Sequence, residues 1–346
     1  MIHLAITGGS GFLADHLVRA FFPWVRSIKL LDIQAPVATS TSANVHFYPV
    51  DVRNEASLEH HLKGSECVIH AAAALPLYSK KDIFDVNVQG TRNVLEVSKK
   101  LGIPKVIYIS STAVYGVPKV YPILESYPLQ GVGSYGESKI QAEYLCHRYR
   151  DEGLCVPIVR PKTFVGTGRL GVFQILFDWI KLGKRIPMIG NGSNFYQLLA
   201  VADLVHAIKI LVVEKNESLS NDTFNIAAKS FQTVREDLSA VCEFAKTGAV
   251  PFALPASFVK SILRFFEKFN LCPLYQWVYE TADHDSIVSI EKFSNRFKWT
   301  PTYSNVQALI HAYQWYLEHP SQDIKVGVTH TTAWNQGILN VFKKVL

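Results

Sequence analysis

Short apolar runs alternate with helical patterns through the first 160 residues of the chain. The apolar runs predict strands at residues 2–6, 27–32, 45–48, 67–70, 106–110 and 157–159. Between them, apolar residues recur at helical spacing at residues 14–22, 55–63, 86–101 and 136–151. Strands that are separated by helices in this way predict repeated β-α-β units and therefore a parallel sheet.

The pattern becomes irregular after residue 160 and returns to a strand-like run near residues 222–228. With 346 residues and 48% hydrophobic content, the chain is long enough to bury a sizeable core. We therefore expect an α/β fold with a doubly wound parallel sheet and a smaller C-terminal lobe. Residues 1–160, with the returning strand, are expected to form the first domain, and residues 161–346 mainly the lobe.

A glycine-rich turn separates the first predicted strand from the first helix. In Gly9-x-Gly11-x-x-Ala14 the first glycine permits a tight turn, and the second lets the backbone approach a pyrophosphate at the helix N-terminus. Asp32 ends the second predicted strand about twenty residues further on, where an acid binds a ribose 2′-hydroxyl. The combination predicts a Rossmann domain that binds NAD in preference to NADP.

A tyrosine and a lysine four positions apart form a candidate acid–base pair. Tyr135 and Lys139 project from the same face of a predicted helix. An isolated phenol has a pKa of about 10, and a nearby cation favours the phenolate, as the positive charge of a nicotinamide also does. We therefore expect the lysine to bring Tyr135 toward the range of efficient proton transfer. Ser111, or alternatively Thr112, is expected to hold the substrate oxygen.

Together these motifs resemble the extended short-chain dehydrogenase/reductases, the NAD-dependent epimerase/dehydratase family with its 3β-hydroxysteroid dehydrogenase-like members. The resemblance covers the chain up to about residue 320, and it rests on residues 7–14, 51–53, 68–73, 87–91, 108–116, 135–139, 159–161, 189–192 and 201–203. It implies that Ser111, Tyr135 and Lys139 are the catalytic residues, with Ser111 favoured over Thr112 by register. Asn87 is expected either to support this site or to cap a helix.

The same resemblance implies how the cofactor is bound. In the family, the residue at Asp51 contacts adenine, and the alanines at positions 71 and 72 line the cofactor. The residues expected to contact NAD are Gly8, Gly11, Phe12, Leu13, Asp32, Asp51, Val52, Ala71, Ala72, Tyr135 and Lys139.

Composition limits the other classes of function. The net charge of +6 suits an anionic cofactor, and no dense basic run with interleaved aromatics indicates nucleic-acid binding. Five cysteines without a Cys-x-x-Cys motif favour a reducing compartment. The N-terminus lacks a basic signal-like region, and the apolar stretch 198–213 contains charged residues, so we expect a cytoplasmic protein without a transmembrane segment. The twelve histidines form no compact ligand set, and no metal is expected.

Residues 256–269 form a basic amphipathic pattern with two interpretations. Phe258, Ile262, Phe265, Phe266 and Phe269 fall on one side of the predicted helix, and Lys260, Arg264 and Lys268 on another. Such a helix either lies on a membrane surface or forms the inner face of a lid or lobe, and the second interpretation is favoured. The resemblance also leaves a homodimer open.

The residues after the catalytic hydroxyl restrict the reaction. Family members that eliminate water carry an acidic pair directly after this hydroxyl, whereas Thr112 and Ala113 follow Ser111, so dehydration is disfavoured. Nucleotide-sugar enzymes of the family hold the substrate diphosphate with arginines, because a guanidinium binds phosphate in a bidentate manner. The two corresponding regions, 192–198 and 280–284, contain no arginine.

We therefore expect hydride transfer between NAD and a secondary alcohol or ketone on a small-molecule substrate that is largely apolar or mixed and hydroxysteroid-like. Arg169 and Tyr196 are the predicted substrate-binding residues, and Lys162 and Lys184 are further candidates for a phosphate. The enzymatic alternative is a nucleotide-sugar 4-epimerase, similar to UDP-glucose 4-epimerase, which uses the same triad. A non-catalytic NAD-binding regulator is the alternative from another class.

Overall fold

The structure, a computed structural model, describes residues 1–36, 43–169, 172–267 and 276–319. Its strands are β1 (His3–Thr7), β2 (Ser27–Asp32), β3 (Val45–Pro49), β4 (Cys67–His70), β5 (Lys105–Ile109), β6 (Ile158–Pro161), β7 (Phe164–Val165), β8 (Ile186–Ile189), β9 (Leu199–Ala200), β10 (Thr223–Ile226) and β11 (Pro251–Leu254). Seven of them form one parallel sheet in the order β10-β6-β5-β4-β1-β2-β3. The strand order reverses beside β1, which confirms the predicted doubly wound sheet.

Helices cover both faces of this sheet. The helices of the described residues are α1 (Phe12–Phe21), α2 (Glu55–Leu62), α3 (Lys80–Phe84), α4 (Thr91–Lys100), α5 (Gly133–Asp151), α6 (Val172–Lys181), α7 (Val201–Val213), α8 (Glu217–Ser220), α9 (Val234–Ala245), α10 (Ala256–Glu267), α11 (Gln276–Thr281), α12 (Glu291–Phe297) and α13 (Asn305–Glu318). Apolar side chains of α1 and α7 pack on one face, and those of α2, α4 and α5 on the other.

Strand β1 shows why the predicted strands were continuous apolar runs. Leu4 and Ile6 lie in the core on one face of the sheet, and Ala5 lies in the core on the other face. All three side chains are fully buried. A parallel strand that is covered on both faces needs apolar residues at successive positions, so alternation with polar residues is lost.

The helix predicted at 86–101 differs from the observed structure. A short helix, α3, begins earlier, a π-helical turn at Asp85–Gly90 follows it, and α4 completes the segment. Gly90 packs so closely on Val52 that a Cβ at this position would lie 2.6 Å from the Val52 Cγ2 atom. The polar, largely exposed residues of α3 carry no apolar periodicity, which is why the sequence pattern missed this helix.

The second half of the chain contributes β10 to the main sheet and otherwise builds a separate core. β10 falls within the predicted returning run at 222–228, and β7 pairs with β9 while β8 pairs with β11. Helices α6, α9 and α13 supply most of the second core, which includes Phe177, Val241 and Tyr313. The division into two domains at residue 160 stays a prediction.

Helix α10 turns its basic side, rather than its aromatic side, toward the protein. Lys260 is buried and pairs with Asp283 at 2.5 Å, and Arg264 pairs with Glu280 at 2.6 Å, whereas Phe258 is 63% exposed. The acidic residues around the end of α11 explain this orientation, since a buried ammonium needs a counter-charge. Positions 268 and 269 lie outside the described residues. No helix in the described parts of the chain is long and apolar enough to cross a membrane.

Candidate active site

The tight turn after β1 is closed by the hydrogen bond from the Gly11 N–H to the Gly8 carbonyl, with Gly9 inside it as expected, and the residue with positive φ is Gly8. Gly8 has φ +69°, and a Cβ on it would lie 2.8–2.9 Å from backbone atoms of Ala71 and Ala72. A side chain is therefore excluded at Gly8 both by conformation and by space. Gly9 is constrained differently, because a Cβ there would lie 2.8 Å from the Leu30 side chain.

The N-terminus of α1 opens directly after this turn. Gly11 is the N-cap residue, its N–H donates to the Gly8 carbonyl at 3.0 Å, and no side chain caps the helix. Phe12 and Leu13 follow with buried side chains, and their backbone N–H groups belong to the first turn of the helix. Free N–H groups at a helix N-terminus bind anions such as a pyrophosphate, so this turn fits a dinucleotide.

Asp32 is fixed at the carboxyl end of β2, beside the glycine turn. Its carboxylate accepts hydrogen bonds from the Ser10 N–H at 3.0 Å and from the Gln34 N–H at 3.2 Å. Carboxylate oxygens that are held in this way keep lone pairs for the hydroxyls of a ribose. The position therefore fits the predicted role in NAD binding.

The other predicted cofactor residues lie along the same edge of the sheet. Asp51 and Val52 follow β3, and the alanines at 71 and 72 follow β4 beside Gly8. The Asp51 carboxylate is bound by the side chain of Arg53 at 2.6 Å, and this hydrogen bond lowers the pKa of Asp51. The Asp51 carboxylate thus has a partner within the chain, and its contact with adenine stays a prediction.

Ser111 and Tyr135 meet at the carboxyl end of β5. The Ser111 hydroxyl accepts a hydrogen bond from the Ala113 N–H at 3.1 Å and is hydrogen-bonded to the phenol of Tyr135. The neighbouring hydroxyl of Thr112 instead contacts the Pro161 carbonyl at 3.4 Å and is buried. Of the two hydroxyls considered from the sequence, the geometry brings Ser111 to the tyrosine.

Lys139 lies beneath the tyrosine, on the next turn of α5. Its ammonium donates to the Ile109 carbonyl at 2.9 Å and lies 4.9 Å from the ring centroid of Tyr108 and 5.9 Å from that of Tyr135. Lys139 is 2% exposed, and burial lowers its pKa to about 8.

The expected lowering of the tyrosine pKa by the lysine is not found in the protein alone. Burial raises the pKa of Tyr135 to about 12, although the hydrogen bond with Ser111 and the charge of Arg169 oppose this shift. Desolvation disfavours the phenolate more strongly than these two contacts favour it. Further positive charge at the site, as in an oxidised nicotinamide, is therefore needed to make Tyr135 a base at neutral pH.

A chain of hydrogen bonds that the sequence did not indicate supports this pair. Asn87, inside the π-helical turn, donates to the Ser138 hydroxyl at 3.0 Å, and Ser138 donates to the Tyr135 carbonyl at 2.8 Å. The Asn87 side chain also forms two hydrogen bonds with the backbone of Ala74. Asn87 therefore supports the candidate site and is not a helix cap.

A second chain connects the glycine turn to the same π-helical turn. The His70 ring bridges the hydroxyls of Thr7 at 2.7 Å and Thr91 at 2.9 Å, and Thr91 donates to the Asn87 carbonyl. Because Thr91 uses its proton for that carbonyl, it accepts from His70, and His70 in turn accepts from Thr7. This pattern needs a neutral imidazole, and burial lowers the pKa of His70 to about 3.

The buried ion pair of Glu143 and Arg160 was also missed. Arg160 on β6 donates from Nε to the Glu143 carboxylate at 2.9 Å, and from a terminal nitrogen to the Tyr115 hydroxyl at 2.7 Å. Both charged residues are at most 3% exposed. Glu143 lies four residues after Lys139 on the buried face of α5, which is the signal in the sequence that could have found it.

An apolar cavity of about 220 Å³ lies in the second half of the chain and contains both predicted substrate-binding residues. Its lining residues are Thr163, Arg169, Val172, Phe173, Leu176, Tyr196, Leu198, Val234, Asp237, Leu238, Val278, Ala282 and Leu309. The Arg169 guanidinium lies 5.3 Å from the ring centroid of Phe12, beside the glycine turn, and its charge acts on Tyr135. The cavity is thus next to the candidate triad.

Comparison with known proteins decides the family. Residues 4–227 match the NAD dependent epimerase/dehydratase family. The chain belongs to this family. Membership confirms the resemblance, the NAD-dependent enzyme class and NAD as the expected cofactor. The chain also superposes on UDP-glucuronic acid 4-epimerase from Bacillus cereus with a TM-score of 0.76 over 92% of this chain and 99% of that one, at 19% identity. This likeness shows the fold alone.

Relatives by sequence carry different activities. An uncharacterized protein of Sinorhizobium fredii, y4nG, is 32% identical over 90% of this chain and 78% of its own length. N-acetyl-alpha-D-glucosaminyl-diphospho-ditrans,octacis-undecaprenol 4-epimerase of Escherichia coli O157:H7 is 32% identical over 66% of this chain and 67% of its own length. The decarboxylating sterol-4-alpha-carboxylate 3-dehydrogenase of Bos taurus is 30% identical over 67% of this chain and 65% of its own length.

Proposed function

We propose that this enzyme transfers hydride between NAD and a secondary alcohol or ketone carbon of an apolar or mixed, hydroxysteroid-like substrate. The observation that carries the proposal is the apolar cavity beside the candidate triad. Most of its lining side chains are aliphatic or aromatic, including Val172, Leu176 and Val278. Burial of an apolar ligand there contributes about 25 cal/mol for each Å² removed from water, before the cost of association.

Three side chains have separate roles at the reacting carbon. Ser111 holds the substrate oxygen, Tyr135 gives or takes the proton of that oxygen, and Lys139 orients the tyrosine and the cofactor ribose. NAD, held by the glycine turn and Asp32, supplies the hydride acceptor or donor when it is bound. The Tyr135 pKa of about 12 keeps the phenol protonated at neutral pH, which suits proton donation in the reductive direction.

Two positions favour an apolar substrate over a nucleotide sugar. Tyr196 and Thr281 lie in the two regions where the nucleotide-sugar enzymes of the family carry arginines. The Tyr196 hydroxyl is hydrogen-bonded to the hydroxyls of Thr163 and Thr281, so neutral side chains occupy these two positions. Each missing charge-assisted contact lowers the affinity for a diphosphate by roughly 1.5–3 kcal/mol. The sterol dehydrogenase relative supports the same substrate class.

A 4-epimerase is the second candidate, and Arg169 favours it. This guanidinium is buried at the cavity, where it is well placed for a phosphate. The E. coli relative is named for a diphospho-undecaprenol sugar, which joins an apolar chain to a sugar diphosphate. A mixed substrate of this kind would use both the apolar lining and Arg169.

Calorimetry on the NAD-loaded protein separates the two candidates. UDP, UDP-hexoses, 3β-hydroxysteroids and long-chain secondary alcohols are titrated under the same conditions. We expect the apolar hydroxyl compounds to bind in the micromolar range and UDP to bind at least a hundredfold more weakly. Micromolar binding of UDP, or interconversion of UDP-glucose and UDP-galactose, would reverse the order of the candidates.

A Tyr135→Phe variant tests the third candidate, a regulator without catalytic activity. We expect turnover of a ligand found in that titration, and its loss in a Tyr135→Phe variant. Absence of turnover across the whole panel, with unaltered partner binding by the variant, would support the regulator instead.

A further inference from the structure

Four lysines in the described parts of the chain are more than 90% buried, and Lys162 differs from the other three in its partners. A buried ammonium has three donors and loses its hydration, so it normally binds carbonyl or carboxylate oxygens. The other three follow this rule. Lys105 donates to the Leu211 and Glu214 carbonyls, Lys139 donates to the Ile109 carbonyl, and Lys260 donates to the Glu280 carbonyl and forms an ion pair with Asp283.

Lys162 is 1% exposed, and its ammonium contacts two neutral groups, a hydroxyl and an aromatic ring. It donates to the Ser286 hydroxyl at 2.5 Å, and it lies 4.7 Å from the ring centroid of Tyr196. No carboxylate within the described residues forms an ion pair with it. A hydroxyl and an aromatic face offset only part of the cost of burying a charge.

The residues on either side of Lys162 contact the segment of Ser111 and line the cavity. Lys162 follows β6 at the same edge of the sheet where Ser111 follows β5. The carbonyl of the preceding Pro161 contacts the Thr112 hydroxyl, and the following residue, Thr163, lines the cavity together with Tyr196. Ligands of doubly wound sheets bind at this edge.

We propose that Lys162 binds an oxyanion of the substrate, a carboxylate or a phosphate, and so selects acidic substrates. This proposal rests on the proposed function and narrows it to compounds with an apolar body and one acidic group near the reacting alcohol. The oxyanion supplies the acceptors that the ammonium lacks in the protein alone, as a charge-assisted hydrogen bond. Lys139 likewise has a single acceptor among the described residues, the Ile109 carbonyl, and its expected ligand is the cofactor.

Burial lowers the pKa of Lys162 to about 7, in agreement with a site that lacks a counter-charge. The alternative is a lysine that merely fills space. Lys162→Met separates the two roles because methionine keeps an unbranched, apolar side chain of similar length. If the lysine serves a ligand, the variant should fold with an equal or higher melting temperature and lose oxyanion binding.

The first test uses inorganic phosphate and acetate on the NAD-loaded protein at constant ionic strength. NAD occupies the glycine turn, which removes the other anion site from the measurement. We expect one or both anions to raise the melting temperature of the wild type and of Lys229→Met, a control at an exposed lysine, but not of Lys162→Met. A larger response to phosphate indicates a phosphate site, and a larger response to acetate indicates a carboxylate site. Equal shifts in wild type and Lys162→Met would overturn the proposal, as would no shift with either anion.

The second test compares matched acidic and neutral ligands. The pairs are UDP-glucuronate with UDP-glucose, and a 3β-hydroxysteroid that carries a carboxylate on the same ring with its methyl ester. In whichever pair binds, we expect the acid to bind at least tenfold more tightly than its neutral counterpart. The Lys162→Met variant should lose this preference. Turnover of neutral hydroxysteroids without preference for the acid would overturn the assignment of Lys162 and leave the proposed function intact. Preference for the acid without any reduction of NAD would support the assignment of Lys162 and contradict the proposed function.

Discussion

Tyr135 receives opposing influences that set its role. Burial holds the proton on the phenol, whereas the Ser111 hydroxyl and the charge of Arg169 favour its release. The pKa of a phenol with such opposing contacts responds to a charge that arrives with a ligand. A shift of one pKa unit corresponds to about 1.4 kcal/mol of interaction energy. The tyrosine is therefore suited to proton transfer that is coupled to cofactor binding.

Tyr135→Phe should lower turnover by two to four orders of magnitude, the usual contribution of a general acid–base. The ring remains, so affinity for NAD should change little. Tyr144→Phe on the same helix is the matched control, since Tyr144 is 62% exposed. Steady-state kinetics and NAD titration on both variants provide the measurement. Near-normal turnover in Tyr135→Phe would rule out the mechanism.

Asp32 should make the enzyme prefer NAD to NADP. Its carboxylate is held by two backbone N–H groups and would meet the 2′-phosphate of NADP with like charge. Fluorescence titration with both dinucleotides should show tighter binding of NAD, and Asp32→Ser should narrow the difference. Equal or tighter binding of NADP by the wild type would contradict the assignment.

His70 should make the protein sensitive to acid. Its pKa is lowered from 6.5 to about 3 by burial, so the folded state binds no proton where the unfolded state does. Stability is therefore lost as pH falls from 6.5 toward 3, by roughly 2–3 kcal/mol at pH 4.5. Urea unfolding at pH 7.0 and 4.5 should show a smaller loss in His70→Asn than in the wild type. The same loss in both proteins would contradict the neutral, doubly hydrogen-bonded imidazole.

Single-residue roles were only partly predictable from the sequence. The spacing of Tyr135 and Lys139 and the strand-end position of Ser111 located side chains that the fold brings together. The turn at Gly9 was predicted, but the positive φ of the preceding Gly8 was not, because a pattern of glycines does not reveal which one has positive φ. Asn87 could be interpreted in two ways until the π-helical turn showed its hydrogen-bond partners.

Helix α5 is the element that organises the candidate site. It carries Tyr135 and Lys139, and Ser138 between them receives the hydrogen bond from Asn87. One turn further on, Glu143 binds Arg160 of β6, so the helix is attached to the sheet by a buried ion pair. The orientation of the tyrosine therefore depends on contacts of the whole helix.

Removal of one partner of this ion pair should destabilise the protein strongly. Glu143→Ala leaves the Arg160 guanidinium buried without its counter-charge, which costs about 3–5 kcal/mol. Chemical denaturation measures the loss. The double variant Glu143→Leu/Arg160→Met should recover much of it, and Arg148→Ala, at an exposed pair on the same helix, should cause no measurable change. A small loss in Glu143→Ala would contradict the buried pair.

Strands were easier to predict than the helices and turns between them. Each predicted strand of the main sheet overlaps the observed one, because burial on both faces requires continuous apolar residues. Helix α3 has only one fully buried side chain, Ile83, and so lacked periodicity. Residues 256–269 were interpreted as the inner face of a lid or lobe, but the side of α10 that pairs with the acidic residues around the end of α11 is the one that carries Lys260 and Arg264.

At the scale of the whole molecule, the cavity could not be foreseen from local patterns. Its lining comes from α6, α9, α11, α13 and the segments around β7 and β9, which are distant along the chain. Only Arg169 and Tyr196 were predicted there, by comparison with regions that bind diphosphate in the family. Most motifs that identify the family lie before residue 162, whereas the residues that line the cavity lie after it.

The most direct test of the proposed function follows a labelled hydride from the substrate to the cofactor. A 3β-hydroxysteroid with deuterium on the alcohol carbon is mixed with NAD-loaded protein in a single turnover, and the cofactor is analysed by mass spectrometry. We predict that the label appears in the reduced cofactor and that Tyr135→Phe slows its appearance by two to four orders of magnitude. No transfer from any secondary alcohol in the panel, together with epimerisation of UDP-glucose by the same preparation, would contradict the account.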